Sequence, residues 1–377
     1  MSASALVRGA RARRAGLLLA ALALLAGCSR QPQLVPASAD SALAGGDAFA
    51  EQARVVQQQW SGAGGPEAAR ASAELLLADL RARFTADPSG AWESRARELL
   101  DSLGVGAECA GAPGALAVNF FSRSDPSAGS WPWVFWNAAG NLSAAAIEGN
   151  GMGLVALAAR GLITPPEPAA PAADDGAAAG GGTPGPAIAA LFSRRVGGGG
   201  QPFVLVWRAG PQLDPAQTLG PDSLGGVGTG AFEPTADGGT ELTTRTWQPT
   251  PRFEECATCP HVVHERRFAW DLEGFHCVED HVVSSPYVAF VELIHALAAG
   301  DHDAALRCVT RPALLTQARE AGWAAARAPW RIAPGQGQRE DEIIFYRGPR
   351  EAWKVGFDRG PDGWQVDAIA PAPRVID

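Results

Sequence analysis

One lysine, Lys354, stands among 377 residues, and arginine carries almost all of the positive charge. The 31 basic side chains face 40 acidic ones, for a net charge of −9. A chain this acidic is a poor partner for phosphate backbones or anionic lipid surfaces, so nucleic acid is excluded as the expected partner. A membrane-spanning run is also missing. The apolar stretch 15–26 holds twelve residues, where a helical span needs about 20. No phosphate loop, Ser-His-Asp spacing or paired catalytic carboxylate motif stands out, although triads are not readable from linear order. The run Gly225-Gly226-Val227-Gly228-Thr229-Gly230 suggests a dinucleotide loop only superficially. Pro234 and Asp237-Gly238-Gly239 follow it instead of an amphipathic helix.

What is present begins with an address. Arg8, Arg11, Arg13 and Arg14 form a positive start without an acidic residue. The apolar run follows, broken only by Gly16, and Leu25-Ala26-Gly27-Cys28 closes it. A positive start, a short apolar stretch and a small-residue cleavage site describe a secretory signal over 1–27. The last four residues resemble the lipobox of bacterial lipoproteins. That resemblance implies a diacylglyceryl group on the Cys28 thiol, cleavage ahead of it and acylation of the new amine. One acyl chain anchors only marginally, at about 0.8 kcal/mol per buried methylene, so several on one residue hold a protein on a bilayer. Cys28 is therefore the expected lipidation site. The bilayer is the expected partner, with an envelope protein or a small ligand beside it.

In some such bacteria an Asp after the cysteine retains the protein at the inner membrane. Ser29 stands here, which favours the periplasmic face of the outer membrane in a Gram-negative cell. The residues around Arg13-Arg14 do not match the longer twin-arginine signal. Cleavage removes four arginines and leaves a net charge of −13.

The rest reads as α+β. Residues 28–46, rich in Ser, Pro, Ala and Gly, read as a lipidated, flexible tether. Residues 47–110 form a helical module. One helix starts at Asp47 and runs to Trp60; a second covers 67–84, with Ala71, Leu75, Leu76, Ala78, Leu80 and Phe84 on its apolar face. After a turn at 87–90, a third carries Trp92, Ala96, Leu99, Leu100 and Leu103 and stops at Gly104. Residues 111–283 read as a β-rich domain, with strands expected at 115–121, 130–136, 141–157, 203–207 and 242–247. The cluster Trp131, Trp133, Phe135 and Trp136 reads as sheet core or as a sugar-binding platform. A segment of Pro, Ala, Gly and Asp at 164–186 reads as a disordered insertion.

Residues 253–283 hold most of the chemistry. Cys256-Ala-Thr-Cys259-Pro-His261 leads into a strand over 262–270, a turn at Asp271-Leu-Glu-Gly274 and a return over 275–283. Pairing Trp270 with Phe275 sets Phe268 against Cys277, Arg266 against Glu279 and His264 against His281. Opposed side chains lie about 5 Å apart, so His264 and His281 would share a metal with Glu279 or a nearby cysteine. Cys256, Cys259, His264 and His281 form the candidate zinc set. A zinc ribbon needs a second Cys-x-x-Cys, and the chain offers only His276-Cys277. Haem attachment needs His directly after the second Cys, where Pro260 stands. A thioredoxin-type motif needs a strand-to-helix setting, and a strand follows here. The remaining readings are a structural disulfide within Cys256–Cys259 or from one of them to Cys109 or Cys277, and a redox-active thiol pair. Five cysteines follow Cys28, so at least one stays unpaired.

Residues 284–377 run helices first, then strands. Ser284-Ser285-Pro286 opens a helix to Ala299, Gly300 stops it, and Asp301 caps a short second one. A third starts at Arg311-Pro312, and strands follow at 342–347, 351–358 and 363–370. Leu297-Ala-Ala-Gly300-Asp301, the Ala-rich second helix and the closing Gly363-Trp364-Gln-Val366-Asp-Ala-Ile369 resemble the nuclear-transport-factor-2-like superfamily, which includes SnoaL-like and ketosteroid-isomerase-like proteins. The resemblance implies a curved sheet around a pocket that is catalytic, ligand-binding or merely packed, with an acid or His inside when catalytic. His295, His302 and Asp303 are the nearby candidates, and each also reads as a surface or cap residue. Fold likeness transfers no activity. The expectation is a lipid-anchored envelope protein with a binding or scaffolding role and no catalytic residues, with metal or thiol chemistry at the hairpin as the alternative.

Overall fold

The computed structural model describes residues 46–62, 64–84, 92–125, 129–138, 140–162, 185–197, 199–325, 328–332, 341–348, 350–361 and 363–372. The signal segment, Cys28, nearly all of the tether, the turn at 87–90 and the insertion up to 184 lie outside them. Helix and antiparallel sheet combine in four four-stranded meanders, each with its strands in chain order.

Three helices come first: α1 (Gly46–Ser61), α2 (Pro66–Phe84) and α3 (Trp92–Ser102). They lie on one face of sheet one, built from β1 (Gly106–Ala112), β2 (Ala115–Phe121), β3 (Ser130–Ala138) and β4 (Asn141–Ala146). Alternation along β2 explains the layering. Leu116, Val118 and Phe120 pack with Trp60, Leu76 and Leu100 of the helices. Ala115 and Ala117 face the opposite way, into a second core. Their small size lets another sheet approach closely. On β3, Trp133 and Phe135 join the helical side, and Val134 and Trp136 the other. The aromatic cluster is thus divided between two cores, with Trp131 partly buried beside Trp60. The helices share their core with sheet one, and β1 already begins at Gly106.

Sheet two holds β5 (Gly153–Arg160), β6 (Ala187–Val196), β7 (Gly199–Ala209) and β8 (Leu213–Leu219). It is covered on both faces. Ile188, Ala190 and Phe192 of β6 meet sheet one. Ala189 and Leu191 meet sheet three. A strand buried on both sides reads as a continuous apolar run rather than an alternation, as Ala187–Phe192 does. The single strand expected at 141–157 is two, β4 and β5, in different sheets. Gly149 and Gly151, at φ 121° and 78°, lie in the connection between them.

A short helix, α4 (Pro221–Leu224), precedes sheet three: β9 (Val227–Pro234), β10 (Thr240–Trp247), β11 (Val263–Trp270) and β12 (Phe275–Val282). Here the glycine run finds its use. Gly225 caps α4 at φ 94°, and a Cβ on Gly228 would stand 2.0 Å from the Arg245 carbonyl. These glycines serve a turn and a close backbone approach.

The C-terminal part packs α5 (Pro286–Ala299), α6 (His302–Arg307) and α7 (Pro312–Glu320) onto β13 (Trp330–Ile332), β14 (Glu342–Arg347), β15 (Glu351–Gly360) and β16 (Gly363–Pro371). Phe290, Trp323, Trp330 and Phe345 fill its interior, with Phe290 and Phe345 stacked at 3.6 Å between ring centroids.

The β10–β11 connection, 248–262, joins this part to sheet three. The Glu254 amide donates to the Trp330 carbonyl at 2.8 Å, and the Trp330 amide donates to that of Arg252 at 2.9 Å. Phe253 meets Tyr287, Phe290 and His295 edge-on. Arg252 has φ 71°, alone among the described non-glycine residues in the positive region. That conformation costs roughly 1–3 kcal/mol and persists where the surroundings over-determine it.

Candidate functional site

The hairpin closes as its turn dictates and then departs from the expected register. Trp270 pairs with Phe275, Ala269 with His276 and Phe268 with Cys277. Beyond these, Arg267 pairs with Glu279, Arg266 with Asp280, Glu265 with His281 and His264 with Val282. Val278 is skipped as a β-bulge, and every later β12 side chain changes its partner. The pairing of His264 with His281 is corrected: the two rings lie on opposite faces of the ribbon. Charge supplies the reason. The unbulged register sets Glu265 against Asp280, two like charges. The bulge sets Arg267 against Glu279, with nitrogen and oxygen 2.9 Å apart, and places Asp280 to accept from both His264 and Arg266 at 2.9 Å. His281 lies 3.5 Å from Glu279.

Cys256 and Cys259 form a disulfide across a tight turn, with the Cys259 amide donating to the Cys256 carbonyl at 3.0 Å. Neither reaches Cys109 or Cys277. Cys277 is exposed, whereas Cys109 and Cys308 are buried and unpaired. Burial pushes the Cys109 thiol up to about 12 and the Cys308 thiol to about 11. Both therefore stay protonated at neutral pH and are poor nucleophiles. Among the described residues, no three His, Cys, Asp or Glu side chains converge as a metal site. Zinc at the hairpin thus has His264 and His281 on opposite faces and two sulfurs tied to each other.

Next to the disulfide lies a cluster that the spacing of motifs did not single out. Glu255, its side chain 5 % exposed, accepts a hydrogen bond from the Tyr287 hydroxyl at 2.5 Å and from the Thr250 amide at 3.2 Å. His261, 7 % exposed, has Nδ1 3.5 Å from Glu255 Oε2 and lies flat on Trp247, ring centroids 3.5 Å apart. Neither ring nitrogen of His261 has a hydrogen-bond partner. Burial, then the bond to Glu255, drives the Tyr287 hydroxyl above its ordinary pKa. Tyr287 thus remains a donor throughout the physiological range. Glu255, Cys259 and Tyr287 line a shallow indentation with Phe253 and Trp330. The sequence signal was faint: one of only two tyrosines, near the start of an apolar helix, is a polar-tipped ring that needs a partner.

The other candidates have structural places. His295 Nε2 lies 3.1 Å from the Pro251 carbonyl. His302 is exposed near the start of α6, within 2.9 Å of Arg319. Asp303 is exposed in the first turn of α6.

No protein-family model matches the chain, and neither does a curated protein or a solved structure.

Proposed function

We propose that the chain is a lipid-anchored cell-envelope protein with a binding or scaffolding role. The observation that carries this reading is Leu25-Ala26-Gly27-Cys28 at the end of an arginine-led apolar run. Acyl chains on Cys28 are its hold on the bilayer. Among the described residues no helix is long and apolar enough to cross a membrane. An anchor on one terminal residue serves a body built this way. Each of its four sheets packs a face on a neighbouring sheet or on helices, and its net charge of −9 suits the aqueous side of a membrane. The C-terminal part is of the nuclear-transport-factor-2-like kind in this reading, acting as a packed binding module. Its helix-first order and its aromatic-filled interior support that role over catalysis within a cone.

Cys28→Ala is the test. The parent protein is expected to take up radiolabelled palmitate and enter the detergent phase on Triton X-114 separation. The variant is expected to remain uncut and unlabelled. Equal labelling and partitioning of the two would end the proposal.

A further inference from the structure

We infer that Cys256–Cys259 is an exchangeable disulfide rather than a fixed brace, with Cys256 as the sulfur attacked by a dithiol and Glu255 as the proton-handling group behind Cys259. Four observations carry this. The bond joins residues three apart, so it closes almost no loop and restrains the unfolded chain little. Both cysteines are half-buried, and they differ in what surrounds them. Cys256 sits at a turn whose next two residues, Ala257 and Thr258, are exposed, while Cys259 packs against the C-terminal core. Cys259 and Glu255 line one indentation. His261, stacked on Trp247 and 3.5 Å from that carboxylate, is nine-tenths buried with neither ring nitrogen in a hydrogen bond.

A thiolate of the dithiol attacks Cys256 Sγ and forms a mixed disulfide. The Cys256–Cys259 bond breaks, and its electron pair leaves on Cys259 Sγ, which takes a proton by way of Glu255. The second thiolate of the dithiol then attacks the dithiol's own sulfur in the mixed disulfide, and Cys256 is released and protonated. The protein gains two electrons and two protons, and the dithiol becomes a disulfide. The reverse reaction reoxidises the pair. Glu255 is a positioning and proton-transfer residue, fixed by the Tyr287 hydroxyl and the Thr250 amide. The charged and titratable groups around it are His261, Tyr287 and the Glu254–Arg331 pair.

The inference does not depend on lipid at Cys28: an unlipidated chain leaves it standing, and an inert disulfide leaves the anchor standing. The test treats the purified full-length protein with millimolar dithiothreitol, followed by iodoacetamide and peptide mapping. The expected result is reduction with unchanged far-ultraviolet circular dichroism, and alkylation of Cys256 about tenfold faster than Cys259, because Cys259 is held against the C-terminal core and access governs thiol reactivity. Glu255→Gln is expected to slow exchange about tenfold or more and flatten its pH profile. A disulfide that resists until the chain is unfolded in urea overturns the inference, as do equal alkylation rates for the two thiols. A folded Glu255→Gln protein that exchanges like the parent removes the role of Glu255. If that variant does not fold, Tyr287→Phe, which takes away one hydrogen bond to the carboxylate, is measured in its place against the same criteria.

Discussion

Asp79 is 8 % exposed on α2 and pairs with two arginines. Arg95 of α3 grips it with two nitrogens, at 2.8 and 2.9 Å, and Arg83 approaches at 3.4 Å. Burial alone would raise its pKa, but the hydrogen bonds and charge of Arg95, aided by Arg83, outweigh that and hold it below the usual carboxylate range. The sign of the linkage follows. A depressed carboxylate contributes stability that is fully present above its unfolded pKa, about 3.9. That contribution is lost as pH falls through the lower folded value. Arg95→Ala leaves the buried charge with Arg83, at 3.4 Å, as its remaining arginine partner and is expected to cost about 2 kcal/mol at neutral pH. The variant should also lose less stability than the parent as pH falls through and below the ordinary carboxylate range. Urea titrations of both proteins across that range check the point. Parallel curves would show that the pair contributes nothing specific.

Elements whose signals are local were legible in the sequence. Ser285 accepts from the Val288 amide at 3.2 Å, with Pro286 in the first turn and Gly300 as the left-handed cap at φ 72°. Asp301 likewise caps α6 from the Ala304 amide. Four adjacent residues suffice to state such a cap, so sequence reading finds it. Ser285→Ala is expected to cost about 1 kcal/mol, read as a lowered melting temperature of the C-terminal part, while Ser284→Ala serves as the neutral control. Equal losses for the two would place the cap elsewhere. The strands divide by the same criterion only in part. β2, β3, β10, β14 and β16 carry large apolar or aromatic residues and were found, whereas β6, with Ile188, Leu191 and Phe192 but no alternation, and the three-residue β13 were not. β1 (Gly-Ala-Glu-Cys-Ala-Gly-Ala) and β8, with Pro215 inside it, carry almost none. Their places are set by neighbouring sheets, which no short window contains. The β12 bulge lies between these cases. Its turn-proximal pairs followed from the turn, but the slip at Val278 depends on weighing Glu265 against Asp280 across two strands.

At the scale of the molecule, the site depends on a contact that local pattern could not supply. Glu255 and Tyr287 are 32 residues apart, on different sides of the sheet-three hairpin. They meet because the 248–262 connection adds itself to the edge of β13. The same connection bears the disulfide, so one segment joins the two parts of the structure and positions the candidate chemistry. Phe253 is the central group of that joint, edge-on to three rings. Phe253→Ala removes those contacts at an expected cost of about 2–3 kcal/mol to docking. The loss should fall on the joint rather than on the sheets. Hydrogen exchange followed by mass spectrometry is expected to show the Glu254 and Trp330 amides opening about tenfold faster or more, because local opening tracks local free energy. Amides of β6, buried between two sheets, should keep their protection. If Phe253→Ala speeds exchange equally in β6, the connection is part of one indivisible cooperative unit. If the Glu254 and Trp330 amides do not respond, the parts are held by other contacts.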